Sequence, residues 1–104
     1  ELIARVLAEM SERAGDETLT MAGIAEALGY EKHYLSRRFN RALNVNFRTL
    51  LTRCRLDTAL SLLRGGDLGV DEIARRSGFA SLRALDRACR EATGRTPTQW
   101  KNQR

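Results

Sequence analysis

The feature that most constrains this chain is an internal repeat, because its second half echoes its first at a spacing of about 50 residues. The offset is 49 residues up to an aromatic position in each half and 50 residues after it, so the second copy carries one additional residue. Such a repeat is hard to obtain by chance and predicts two copies of one supersecondary unit. The matched pairs are Ile24 with Ile73, Ala25 with Ala74, Gly29 with Gly78, Tyr30 with Phe79, Leu35 with Leu85, Arg37 with Arg87, and Asn44 with Gly94.

Each copy contains Ile-Ala, a glycine four residues after the alanine, and then an aromatic residue. A small alanine lets a second helix cross the first closely, and glycine permits the positive φ of a tight turn. The Ala-x-x-x-Gly spacing alone is a weak signal, since it occurs in many helical proteins. Two copies at matched positions, each followed by an amphipathic segment, predict two helix-turn-helix motifs.

Hydrophobic periodicity predicts helices nearly throughout the chain and no strand. Thr20, Ser81 and Thr96 are predicted N-caps, and Asn44 is expected to close a helix in the left-handed conformation. The predicted fold is all-α, with about seven helices in two helix-turn-helix subdomains joined by a long central helix. The first predicted helix has Leu2, Ile3, Val6, Leu7 and Met10 on one face and is ended by Gly15 and Asp16. The others cover about 21–28, 32–42, 47–64, 70–77, 82–93 and a short segment from Pro97. The predicted subdomains are 1–46 and 65–104, with the bridge at 47–64.

The segment 47–64 changes its apolar face halfway along. A helix that packs on one core keeps one stripe, so this helix is predicted to serve two cores, one at each end. At about 1.5 Å per residue the bridge is about 25 Å long, and with the subdomain bodies a separation near one DNA turn, about 34 Å, is attainable. The apolar residues are Phe47, Leu50, Leu51 and Cys54 in the first half and Leu56, Ala59, Leu60, Leu62 and Leu63 in the second.

The charge balance points to an acidic partner. The formal net charge is +5 and the pI is about 10.0, which suits nucleic acid or an anionic membrane surface. Every cation except Lys32 and Lys101 is arginine, a side chain suited to bidentate contacts with phosphate and guanine. A GC-rich genome is an alternative cause of that excess. No apolar run approaches the roughly 20 residues of a membrane span, and no signal peptide is recognisable.

The third and sixth predicted helices carry matched polar faces. An exposed face of Arg, Asn, Ser and His suits base edges in a major groove, where Arg pairs with guanine and Asn with adenine. An ordinary solvated face is the alternative for each residue, but the matched slots of Arg37 and Arg87 favour base contact. The outer residues are His33, Ser36, Arg37, Asn40 and Arg41 in one helix and Arg83, Asp86, Arg87 and Arg90 in the other. The predicted inner residues are Leu35, Phe39 and Ala42, and Leu82, Leu85, Cys89 and Ala92.

The chain resembles the DNA-binding domain of the AraC/XylS family of transcription regulators over nearly its whole length. The last block is the most specific, because the family ends its second motif with Gly-x-Thr-Pro and an aromatic residue three positions on. The resemblance implies a seven-helix fold, base contacts from the third and sixth helices, and phosphate contacts near helix N-termini. The matching residues are Leu19-Thr20, Ile24-Ala25, Leu28-Gly29-Tyr30, Tyr34-Leu35-Ser36-Arg37, Phe39, Arg55-Leu56, Ala59, Leu62-Leu63, Ile73-Ala74, Gly78-Phe79, Ser81, and Gly94-Arg95-Thr96-Pro97 with Trp100.

Candidate DNA contacts follow from the resemblance and from the matched faces. Ala88-Cys89 replaces an aromatic residue typical of the family, which predicts a looser second subdomain. Asn44 replaces a glycine, and Asp86 would repel phosphate although it could accept a hydrogen bond from cytosine N4. The base-contact candidates are Lys32, His33, Ser36, Arg37, Asn40, Leu82, Arg83, Asp86, Arg87 and Arg90. The phosphate-contact candidates are Arg41, Asn46, Ser81 and Thr96.

The predicted partner is double-stranded promoter DNA, with RNA polymerase as a further expected contact, no membrane and no cofactor, in the bacterial cytoplasm at the nucleoid. Because the chain begins at Glu1, we expect a fragment that lacks an effector or dimerisation domain. One histidine and no Cys-x-x-Cys leave no recognisable zinc site, and no catalytic constellation is present. Two alternatives remain: a module that docks an acidic protein, and a piece of an alkyl-repair enzyme with Cys54 as nucleophile. Cys54 and Cys89 are predicted to be buried hydrophobes.

Overall fold

The computed structural model describes residues 1–102, so Gln103 and Arg104, the end of the predicted second subdomain, lie outside the described residues. Within that range the chain forms seven helices and no strand, in a body of 44 × 22 × 22 Å. The helices are α1 (Leu2–Arg13), α2 (Met21–Leu28), α3 (Lys32–Leu43), α4 (Phe47–Gly65), α5 (Val70–Arg76), α6 (Leu82–Thr93) and α7 (Pro97–Lys101). The all-α fold with two helix-turn-helix pairs, α2–α3 and α5–α6, is therefore confirmed, and the predicted boundaries of α2 to α6 agree within one residue.

Side-chain caps explain where several helices begin. Thr20 Oγ1 accepts from Gly23 N at 3.0 Å, and Ser81 Oγ accepts from Ala84 N at 3.1 Å, as predicted. Thr96 forms a capping box with Gln99, in which each side chain accepts from the other residue's backbone N–H.

The repeat is visible in the backbone of the two turns. Gly29 and Gly78 both adopt positive φ, +83° and +95°, at the end of the first helix of each pair. The next N–H donates to the matched alanine carbonyl in both copies: Tyr30 N to Ala25 O at 2.9 Å and Phe79 N to Ala74 O at 3.0 Å. The second turn then holds one more residue before its helix cap, which confirms the change of offset. Asn44 closes α3 at φ 53°, also as expected.

Two hydrophobic cores share α4. Its first half contributes Leu51 to the first core, and its second half contributes Leu56, Ala59 and Leu63 to the second, which confirms the predicted change of face. The division of the chain at residues 46 and 64 stays a prediction, because α4 is part of both cores. The fully buried residues of the first core include Val6, Met10, Ile24, Leu35 and Phe39, and those of the second Ala59, Leu63, Ile73, Leu85 and Cys89.

Three predicted inner residues are exposed. Ala42, Leu82 and Ala92 lie on the solvent side, so their assignment to the inner faces is wrong. Each is three residues from a buried position, which displaces it by about 60° around the helix axis, toward the edge of the packed stripe. The buried stripes of α3 and α6 are therefore only one residue wide, which leaves a broad outer surface on each helix.

No helix among residues 1–102 is both long and apolar enough to cross a bilayer.

Candidate nucleic-acid interface

The outer face of α3 is solvent-exposed along its length, as predicted. Its side chains are accessible except that of Ser36, which is partly buried. Arg37 forms no ion pair with a carboxylate anywhere in residues 1–102, so its guanidinium is available to a ligand. The exposed candidates on this helix are Lys32, His33, Arg37, Asn40 and Arg41.

The start of α3 carries its own anion. Glu31 is the N-cap, and its carboxylate accepts from His33 N and from Tyr34 N, both at 2.9 Å. The His33 ring nitrogen Nδ1 lies 2.9 Å from the same carboxylate. The backbone hydrogen bonds from His33 and Tyr34, followed by the His33 side chain, lower the pKa of Glu31 to about 2. Glu31 therefore stays ionised and orients the His33 ring at the edge of the candidate reading face.

Beside the outer face of α3, one tyrosine of the preceding turn and one of the helix form an aromatic pair that was not predicted as functional. Tyr30 and Tyr34 stack with their centroids 6.0 Å apart. Arg38 Nη1 donates to Tyr34 Oη at 2.7 Å, and its guanidinium carbon lies 5.7 Å from the centroid of the same ring. The i, i+4 spacing of Tyr34 and Arg38 within α3 is the signal that could have paired those two, whereas Tyr30 joins them from the turn before the helix.

On the outer face of α6, unlike that of α3, arginines form ion pairs with carboxylates of the same helix. Arg87 Nε lies 3.4 Å from Glu91, and Arg90 Nη1 lies 3.6 Å from Asp86. Arg83 is exposed and forms no ion pair within residues 1–102, whereas Asp86 is partly buried. Exposed i, i+4 pairs are weak, typically about 0.3–0.5 kcal/mol, so a phosphate or a guanine can displace the carboxylates.

An open cleft of about 780 Å³ lies between the first half of α4 and α6. Arg48 and Arg53 line it from the bridge, opposite Arg83 and Arg87 from the candidate reading helix. Two carboxylates, from residues 17 and 91, also line the cleft, and the arginines outnumber them. The bridge arginines were not predicted, because α4 was interpreted only as a packing element. The sequence does indicate that these two side chains are exposed, because both lie outside the apolar stripe of that half of the helix.

Three predicted phosphate contacts are helix caps. Asn46 Oδ1 accepts from Thr49 N at 2.8 Å, and Thr96 Oγ1 from Gln99 N at 3.1 Å, while Ser81 caps α6 as described. Their side-chain oxygens are therefore engaged, and a phosphate would meet the remaining N–H groups of the first turn. Arg41 is exposed in the last turn of α3. The contacts themselves stay predictions.

The two cysteines lie in apolar surroundings. Cys89 is fully buried and Cys54 is partly buried against the first core. Burial raises the pKa of both thiols, and Asp57 adds to the shift of Cys54. A raised pKa disfavours the thiolate that a nucleophile needs. Among residues 1–102 there is no group of three or more His, Cys, Asp or Glu side chains placed to hold a metal ion.

Comparisons with known proteins agree with this geometry. Residues 24–103 match the family model described as a helix-turn-helix domain. Over 85 residues the chain is 34% identical to YijO, an HTH-type transcriptional regulator of Escherichia coli K12, covering 82% of this chain and 30% of YijO. The structure matches the C-terminal domain of AraT, a response regulator from Geobacillus stearothermophilus, with a TM-score of 0.91, 30% identity and coverage of 99% and 85% of the two chains. It also matches the DNA-binding domain of AdpA, a global transcriptional factor solved with a target DNA, with a TM-score of 0.87, 27% identity and coverage of 97% and 90%.

Proposed function

We propose that this chain, which belongs to the AraC/XylS family of helix-turn-helix domains, binds double-stranded DNA sequence-specifically with α3 and α6 in successive major grooves. The observation that carries the proposal is the pair of matched helix-turn-helix units, each with an exposed cationic outer helix, built onto one continuous helix. The 19 residues of α4 give that helix a length of about 28 Å, comparable to one turn of DNA at about 34 Å.

In this proposal α3 makes the main base contacts. Arg37 is exposed and unpaired, and its planar fork matches guanine O6 and N7. Asn40 lies one turn further along the same face and suits adenine. On α6, Arg83 and Arg87 take the same role, with Arg87 exchanging Glu91 for DNA. The remaining candidates are Lys32, His33, Ser36, Leu82, Asp86 and Arg90 at base edges, and Arg41, Asn46, Ser81 and Thr96 at phosphates.

The cleft between α4 and α6 supplies further phosphate contacts. Between two successive major grooves a duplex presents its minor groove, bordered by two phosphate strands. Arg48 and Arg53 line the same opening as Arg83 and Arg87 of α6, which supports a position for one of these strands against the bridge. Such contacts raise affinity for all sequences and fix the register of the protein on the duplex.

The proposal extends to the natural protein. The chain spans 30% of the length of YijO, which is consistent with a separate effector-binding or dimerisation domain in the whole regulator. Contact with RNA polymerase, a cytoplasmic location at the nucleoid, and action by binding without catalysis belong to the same proposal. The apolar surroundings of Cys54 and the raised pKa of its thiol support the last of these over the alkyl-repair alternative.

Selection of bound sites from a random DNA pool tests this function. We expect a two-part site whose halves are centred about one turn, 10–10.5 base pairs, apart. Affinity for that site should fall steeply with salt, as counterion release requires. Failure to bind any duplex at low ionic strength would overturn the proposal and leave the acidic-protein module as the explanation of the basic faces.

A further inference from the structure

The two helix-turn-helix units touch at a junction away from the axis of α4. Arg55, in the middle of α4, donates from Nε to Ala14 O at 2.8 Å and from Nη2 to Asp16 O at 2.8 Å. Ala14 is the C-cap of α1, and Asp16 lies in the turn that follows. Arg55 therefore ties the bridge to the end of the first helix across about 40 residues of chain.

The second unit closes the same junction from the other side. Gly78, in the turn between α5 and α6, approaches so closely that a Cβ there would overlap the Ala14 carbonyl oxygen and lie 2.8 Å from Arg55 Nε. A Cβ on Gly15 would lie 3.1 Å from Arg76 O. The Ala14 carbonyl is thus held between the guanidinium of Arg55 and the backbone of the α5–α6 turn. We call this contact of Ala14, Arg55 and Gly78 the junction.

The junction is held by hydrogen bonds from a charged group as well as by close packing. Hydrogen bonds from a charged guanidinium to carbonyls are stronger than neutral ones, and the end of α1 is the negative end of its helix dipole. Partial burial lowers the pKa of Arg55, and the nearby Asp16 and Glu17 offset part of that shift, so this guanidinium is partly shielded from water. Arginine stays charged through such a shift.

The junction limits relative motions of the two units that α4 alone would allow. Two units attached to one helix can still rock by bending it or by sliding on its side chains. A second attachment away from the helix axis removes that freedom. A duplex turns by about 34–36° per base pair, so small rotations between α3 and α6 change which spacing of half-sites both can meet.

Resting on the proposed function, we propose that Arg55 is a positioning residue that sets the spacing of half-sites the protein accepts. It holds the first unit against the α5–α6 turn and so fixes the rotation and separation of α6 relative to α3. It touches no base. Its effect is to penalise operators whose halves are one base pair closer together or further apart.

The test compares affinities for the selected operator and for versions with one base pair removed or added between the halves. The wild-type protein should prefer the selected spacing by roughly tenfold or more, a cost similar to that of one mismatched base pair. Arg55→Met should reduce this preference to within about threefold while affinity for an isolated first half-site is unchanged. Arg64→Met, which removes an exposed arginine from the last turn of the same helix, is the matched control and should keep the full preference.

A second pair of variants tests the residue that the second unit contributes to the junction. Gly78→Ala places a methyl group against the Ala14 carbonyl, whereas Gly29→Ala carries a similar left-handed strain at the matched turn with nothing within 4 Å. Gly78→Ala should lose spacing preference and Gly29→Ala should keep it, with melting followed by circular dichroism for each. Equal weakening at every spacing, or an unchanged preference in both Arg55→Met and Gly78→Ala, overturns the inference. A wild-type protein that shows no preference among spacings instead overturns the two-groove function itself.

Discussion

The two helix-turn-helix units have the same backbone arrangement, but their cores are built from different side chains. In the first unit the fully buried aromatic residue comes from α3, as Phe39, while the turn residue Tyr30 is 36% exposed. In the second unit α6 supplies Cys89 at the matched position, and the turn residue Phe79 is only 6% exposed. Trp100 of α7 packs on the same core and donates from Nε1 to Thr93 Oγ1 at 2.9 Å. In the second unit the aromatic side chains of the core therefore come from the turn before α6 and from α7, and not from α6 itself.

The outer surfaces differ as well. The first unit offers an unpaired Arg37 beside a charged cap, and the second offers Arg87 and Arg90 that are already paired with carboxylates. In this chain the two units therefore keep the same turn geometry and most of the same buried positions, whereas the residues that fill the cores and face solvent differ. The looser packing expected of the second unit stays a prediction, because the buried Phe79 offsets part of what Cys89 lacks.

The largest effect should come from the cores. Phe39→Ala should lower the free energy of unfolding by about 3–5 kcal/mol, because it removes a fully buried ring and leaves a cavity. Cys89→Ala, at the matched position, removes one heavy atom and should cost on the order of 1 kcal/mol. Urea denaturation of both variants measures the difference. Equal losses would contradict the view that the second core draws its aromatic volume from elsewhere.

The next effect concerns base reading. Arg37→Ala should weaken binding to the selected operator by about 1–3 kcal/mol and relax preference at one base pair of one half-site. Arg87→Ala should cost less, since the wild-type residue must first leave Glu91. Titration against the operator and its single-base variants separates the two. A uniform loss over all sequences for Arg37→Ala would make it a phosphate contact.

The helix starts should respond differently to acid. The pKa of Glu31 is lowered from 4.5 to about 2 in the folded chain, so its stabilisation is fully present above pH 4.5 and is lost as the pH falls toward 2. Glu31→Gln should therefore show a smaller fall in the free energy of unfolding over that interval than the wild-type protein. Ser81→Ala removes a neutral cap and should shift stability by the same amount at each pH. Parallel wild-type and Glu31→Gln curves would exclude an ionised cap.

The smallest effect should come from the bridge. Arg48→Gln should reduce the slope of log affinity against log salt by about 0.9, the value for one phosphate contact, with similar loss for every sequence. Arg64→Gln, at the far end of α4, should leave the slope unchanged. A salt slope unaltered in Arg48→Gln would place the DNA backbone away from the cleft.

Much of the fold could be predicted because local chemistry determines it. Positive-φ glycines, Ser and Thr caps and the change of face in α4 are all readable from short stretches of residues. The Glu31 cap was missed because Ser, Thr, Asp and Asn are the preferred residues at that position. The cleft could not be predicted, since its walls come from helices distant in the chain. The bonds from Arg55 to Ala14 and Asp16 were missed for the same reason: they join carbonyls about 40 residues away, which no local pattern encodes.

A shared helix has a consequence for how the molecule unfolds. Apolar side chains of α4 belong to both cores. Unfolding of either half would therefore disorder α4 and remove packing contacts on which the other half depends. The two halves should therefore lose their structure in a single cooperative transition, although each is smaller than most autonomous domains. Operator engagement by one half would then protect amide hydrogens in the other from exchange, even where no DNA reaches them.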